Sequence, residues 1–129
     1  MSQSWDGGCL CGAVRFRASG PPRWKIWCHC QSCRKHSGAP ASAFAAFDQA
    51  RVEVTKGEIT KFASSPGMLR GFCSTCGSTL TCQGGPAPPD ELHFHIGAFD
   101  EPGKLPPTGE YFVEERLPWF RLADVGKVG

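Results

Sequence analysis

Residues Trp27–Gly38 read WCHCQSCRKHSG. Cys28, Cys30 and Cys33 fall within six residues, and His36 follows at a Cys-x-x-His spacing. A closed structural zinc site takes four protein ligands, whereas a catalytic one takes three and leaves a position open. How this stretch is completed therefore decides how the chain is tied together.

The other clustered cysteines lie far away in sequence. Cys9-Leu10-Cys11-Gly12 and Cys73-Ser74-Thr75-Cys76-Gly77 each place a cysteine pair directly before a glycine. Both read as zinc knuckles, in which the glycine permits a tight turn and nearby backbone N–H groups can face thiolate sulfur. Pairing Cys9 and Cys11 with Cys73 and Cys76 gives a four-thiolate structural site that closes a loop of about sixty residues and contributes folding energy. Cys28, Cys30 and Cys33 then remain as a three-thiolate set for a second zinc. Cys28 and Cys30 share one side of an extended segment, Cys33 returns from the first turn of a short helix, and His29 points away. Two alternatives stay open. His36 could close the second site, or a single zinc could use the triplet plus one knuckle cysteine. Cys82 stands alone and reads as a small buried hydrophobe.

The 129 residues fit one domain spanning residues 1–129. Glycine and proline total 27, which points to many turns and short strands. Gly12–Ser19 alternates apolar and polar residues as a half-buried strand does. Trp24–Cys28, Ser42–Phe47, Val52–Thr55, Ile59–Ala63, Leu69–Phe72, Thr79–Cys82 and Leu92–Ile96 are further short strands, and Gln31–His36 is the one short helix. The expectation is a mainly β fold of antiparallel, zinc-stabilised sheets. The C-terminal Leu117-Pro118-Trp119-Phe120 is expected to dock back onto it.

The N-terminus has neither a basic nor an apolar leader region, and no apolar run is long enough to span a bilayer. The expected location is the cytoplasm, with no membrane partner. In that reducing compartment eight cysteines fit metal ligation better than a disulfide framework. The net charge is +2, with ten Lys/Arg against four Asp/Glu in residues 1–70 and four against eight in residues 71–129. That imbalance is too modest for a nucleic-acid binder, and no long basic helix is present to enter a groove.

The succession CLCGAVRF, CHCQSCRKHSG, RGFCSTCGSTL, GAFDEP and PWF resembles the glutathione-dependent formaldehyde-activating enzyme family, whose domain is shared with centromere protein V. The match runs in order from Gly8 to about Phe120. The resemblance implies a β-tent fold like that of a Rab-exchange chaperone. It also implies structural zinc on Cys9, Cys11, Cys73 and Cys76, and a second zinc on Cys28, Cys30 and Cys33 where a glutathione thiol binds. The chain is shorter than the formaldehyde-activating enzymes themselves, and TGEYFVEERLPWF matches the family only loosely.

The implied activity is that of a carbon–sulfur lyase, or thiol–aldehyde adduct enzyme, like S-(hydroxymethyl)glutathione synthase, acting on glutathione or a similar small thiol and a small aldehyde. The alternative is a non-enzymatic, zinc-stabilised protein-interaction module. Three thiolates on a divalent ion already carry a net negative charge, so a substrate thiolate calls for a cation nearby. Arg34, Lys35 and Arg70 are the candidates, also for holding substrate carboxylates. Trp27, adjacent to the first ligand, is the candidate pocket wall. His93 and His95 share one strand face and could serve in acid–base chemistry. No Ser-His-Asp pattern, phosphate-cradling glycine loop or deaminase H-x-E is present.

Overall fold

The computed structural model describes residues 3–121. Ten strands and one α-helix form two sheets: β1 (Ser4–Gly8), β2 (Arg15–Ser19), β3 (Trp24–Cys28), α1 (Gln31–Ser37), β4 (Ser42–Asp48), β5 (Val52–Lys56), β6 (Thr60–Ser65), β7 (Met68–Phe72), β8 (Thr79–Gly84), β9 (Glu91–His95) and β10 (Gly109–Tyr111). The small sheet runs β1-β2-β5 and the large one β10-β3-β4-β9-β8-β7-β6. Every pairing is antiparallel except β10 with β3, which is parallel. The mainly β architecture with one short helix is thus the one expected, with a mixed rather than purely antiparallel large sheet. None of the described helices is long and apolar enough to cross a membrane.

The expected strand Gly12–Ser19 begins only at Arg15. Gly12 has φ +81° and serves the turn after Cys11, so the ladder cannot start there. Strands β1 and β10 carry no clean apolar alternation. The first, SWDGG, is held by its register against β2; the second, GEY, by its register against β3.

Alternation along the strands separates two apolar regions. On one face of the large sheet Ala45, Phe47, Leu80, Leu92 and Phe94 meet Val14, Phe16 and Ala18 of the small-sheet segment, forming the main core with Phe99 and Leu105. Phe16 stacks on Phe94 with centroids 4.2 Å apart. The opposite face carries Ile26, Cys28, Phe44 and Cys82, joined by Cys33 from α1. Register places Trp24 beside Ala46, Ala46 beside His93, His93 beside Cys82, and Cys82 beside Arg70. These residues therefore form one row across five strands on the second face. Along the chain, Trp24, Ile26 and Cys28 share that face while Trp27 turns to the other.

Only part of the C-terminal segment docks. Phe120 approaches Trp27 and His29 with centroids 6.1 and 5.8 Å away, whereas Trp119 is 67% exposed. The expectation that both aromatic rings pack down fails for Trp119.

Candidate metal centres and cleft

The two knuckles meet. The sulfurs of Cys9, Cys11, Cys73 and Cys76 all lie within 4.8 Å of one another. Gly77 has φ +79°, the left-handed geometry that a knuckle requires and other residues resist. The N–H of Val14 donates to Cys9 Sγ at 3.2 Å, and the Cys76 sulfur contacts the Ser78 hydroxyl at 3.2 Å. The Ser78 hydroxyl and backbone pull the Cys76 thiol down to about 5. Four convergent sulfurs in turns that point N–H groups at them form a donor set suited to a soft or borderline divalent ion such as zinc.

The sulfurs of Cys28, Cys30 and Cys33 also lie mutually within 4.8 Å. Cys28 and Cys30 come from the end of β3 and its exit. Cys33 comes from the first turn of α1, where its N–H donates to the Cys30 sulfur at the N-cap. Gly38 ends the helix in the left-handed conformation. Cys28 and Cys33 are 3.5 Å apart. Hydrogen bonds from Cys28 and Cys30, with Cys82 and the Arg70 guanidinium adding to them, push the Cys33 thiol far below its ordinary value. The Cys28 thiol is pushed up by Cys30 and Cys33. The opposed directions for Cys28 and Cys33 arise because three converged sulfurs repel one another's negative charge and Arg70 is the cation in contact with them. A divalent ion would satisfy all three.

Neither His36 nor Cys82 belongs to the set of mutually close donors. The His36 ring meets His95 edge-on instead, with centroids 5.9 Å apart, and its buried Nδ1 has no hydrogen-bond partner. Burial and then the Arg70 charge lower its pKa. His29 turns from the sulfurs, as alternation expects, and its Nε2 contacts Glu110 Oε1 at 2.8 Å.

The triplet lines a cleft of about 720 Å³ whose other surfaces include Trp24, Ile26, Phe44, Met68, Tyr111 and Phe112. Arg70 lines it too. This residue is 4% exposed and donates from Nη1 to Cys33 Sγ at 3.4 Å and from Nε to Ser64 Oγ at 3.2 Å. Arg34, Lys35 and Trp27 do not line the cleft. The first two extend from α1 beyond the cysteine-bearing turn, and Trp27 lies on the wrong side of β3. Trp24 occupies the position anticipated for Trp27. Counting by twos back from Cys28 finds it.

Two histidines separate despite sharing a strand face. His93 lines the cleft, with Nε2 2.8 Å from Glu91 Oε2 and its ring 4.6 Å from that of Trp24. His95 lies near His36, 8% exposed, with its pKa lowered to about 4 by burial and then by His36.

The chain matches the family described as glutathione-dependent formaldehyde-activating enzyme over residues 4–115. It is 34% identical over 127 aligned residues, covering 91% of this chain and 80% of the relative, to a Halomonas elongata protein provisionally named glutathione-dependent formaldehyde-activating enzyme. It is also 34% identical over 76 residues to an uncharacterized lyase of Schizosaccharomyces pombe. That alignment covers 59% of this chain and spans only 55% of the relative's length. A crystal structure of a Rhodobacter sphaeroides protein superposes with TM-score 0.63 at 21% identity, covering 81% of this chain and 98% of that one, and so shares the fold.

Proposed function

This chain belongs to the glutathione-dependent formaldehyde-activating enzyme family, and from that premise we propose that it is a zinc-dependent carbon–sulfur lyase joining or separating a small thiol and a small aldehyde. The observation that carries this reading is the position of the Cys28, Cys30 and Cys33 sulfurs. They converge in the lining of a cleft, and among the described residues no fourth donor is as close to all three. We assign one zinc to Cys9, Cys11, Cys73 and Cys76 as the structural ion, and a second to the triplet, open toward the cleft.

Zinc bound by the triplet supplies a Lewis acid that keeps a substrate thiol, otherwise mostly protonated at neutral pH, in its reactive thiolate form. The residues around it do the rest. Arg70 brings a fixed positive charge to the sulfur cluster and offsets the negative charge that a further thiolate adds. The apolar walls keep water from the reacting carbon and strengthen that electrostatic contact.

In this reading His93, which lines the cleft, manages the proton. Its Nε2 is held by the buried Glu91 carboxylate, which fixes the N–H on that nitrogen and leaves Nδ1 free as a base. In the cleavage direction the hydroxyl proton of a hydroxymethyl thioether passes to Nδ1, the C=O double bond forms, and the C–S bond breaks to give thiolate and formaldehyde. In synthesis the thiolate sulfur attacks the carbonyl carbon and Nδ1–H returns the proton to oxygen. No electrons leave or enter.

The test is a thiol titration of cobalt-substituted protein followed by its metal–sulfur absorption, together with a count of metal per chain. Two metals per chain and a spectral change that saturates with thiol are expected. One tightly held metal, or two that no thiol perturbs, would sink the assignment.

A further inference from the structure

The cleft beside the cysteine triplet is more specific than a site for any small thiol. Its walls are dominated by the side chains of Trp24, Ile26, Phe44, Met68, Tyr111 and Phe112. Two of these stand at the rim incompletely covered, Tyr111 at 46% and Phe112 at 44% exposure. Phe112 is also the one described non-glycine residue with positive φ, at 60°. A bulky residue rarely adopts that conformation without being held there.

The charges in the cleft point the same way. Apart from the cysteines, His93 and the Tyr111 phenol, its ionisable lining consists of Arg70, Glu91 and Glu114. Arg70 is engaged with Cys33 and Ser64. Glu91 is buried and held by His93 and Arg23. Glu114 contributes a second negative charge. The cations nearest in sequence to the triplet, Arg34 and Lys35, do not line the cleft, and Arg116 pairs with Glu110. Glutathione carries two carboxylates and one ammonium group at neutral pH. Among the described residues the cleft offers no uncommitted cation to receive either carboxylate, and burying an unpaired carboxylate is strongly unfavourable.

We propose that the thiol accepted by this chain bears an apolar, ring-sized substituent on its sulfur-bearing carbon chain, an aryl-alkyl thiol or its hydroxymethyl adduct, in preference to glutathione. The inference rests on the thiol–aldehyde reading above and narrows its substrate class. The sulfur faces the triplet, and the substituent lies along Trp24 and Phe44 and covers Tyr111 and Phe112. Aromatic walls favour a ring through both buried area and edge-to-face contact. A cleft of about 720 Å³ accommodates a ligand of this size.

The test is calorimetric titration of the zinc-loaded full chain with 2-phenylethanethiol and with glutathione, each without aldehyde and corrected for its own thiol ionisation. The aromatic thiol is expected to bind at least about tenfold more tightly, a margin a few buried CH₂-sized contacts supply. Phe112→Ala, at the exposed rim, should weaken the aromatic thiol severalfold more than it weakens glutathione. Glu114→Lys should tighten glutathione severalfold relative to the aromatic thiol. Glutathione binding as tightly as the aromatic thiol, or more tightly, overturns the proposal while the thiol–aldehyde reading stands. Binding of neither thiol overturns both.

Discussion

Arg70 Nη1 lies 3.4 Å from the sulfur of Cys33, with the arginine 4% exposed. β7 holds the residue beside Cys82 of β8, on the sheet face that also carries Cys28, and its guanidinium reaches the first turn of α1. A buried guanidinium facing a sulfur cluster is costly to place and costly to remove. Arg70→Met should lower the affinity of the triplet for zinc by about 10–100-fold, as loss of a supporting partner commonly does. Arg70→Lys should recover part of it. Chelator competition on the purified protein measures both, and an unchanged affinity in Arg70→Met would remove the arginine from the site.

The two cysteine clusters should fail differently. Cys73→Ser opens the cluster that links the β1–β2 turn to the β7–β8 turn, and should abolish the cooperative thermal transition. Cys28→Ser should lose one metal and retain the far-ultraviolet circular dichroism of the folded chain. Equal destabilisation by both substitutions would contradict the division into structural and open sites.

His93→Gln keeps a polar side chain in the row beside Cys82 and deletes the base. The cleavage rate of a hydroxymethyl thioether should fall by about 10²–10⁴-fold. Binding of the free thiol should change little, since the proton moves only when the carbon–sulfur bond does. A rate loss explained entirely by weaker thiol binding would assign His93 to packing alone.

His95 makes acid stability pH-dependent. Its pKa is lowered to about 4 in the folded chain by burial and by His36, against about 6.5 when unfolded. Between those values the unfolded chain binds the extra proton. The histidine's contribution is therefore fully present above about pH 6.5 and is lost as the pH falls toward 4, by about 3 kcal/mol in all. Urea midpoints of the parent and of His95→Gln, compared from pH 7 to pH 4, isolate this from acid release of metal. Parallel curves would show that His95 is not the titrating group.

The strand-rich fold and both cysteine clusters are legible because their signals are local: paired cysteines before glycine, short alternating runs, and turn residues between them. The cleft is less so. Its sulfurs are read from spacing, but its walls arise from register between strands distant in sequence, which brings Trp24, His93, Cys82 and Arg70 into one row. Trp27 is adjacent to Cys28 in sequence but not on its face, because neighbouring residues in a strand face opposite sides, whereas Trp24 shares the face of Cys28. Arg70 was legible only as a nearby cation; that it contacts Cys33 rather than solvent follows from the β7–β8 pairing. The parallel strand β10 and the two rim aromatics it delivers carry no periodic signal at all, since three exposed residues suffice to make it.

The closed cysteine cluster joins Cys9 and Cys11 to Cys73 and Cys76, while the open one is complete by Cys33. During synthesis all three sulfurs of the triplet therefore leave the ribosome well before the second knuckle. They enter solvent as part of a nascent chain, before the cleft and the Arg70 contact exist.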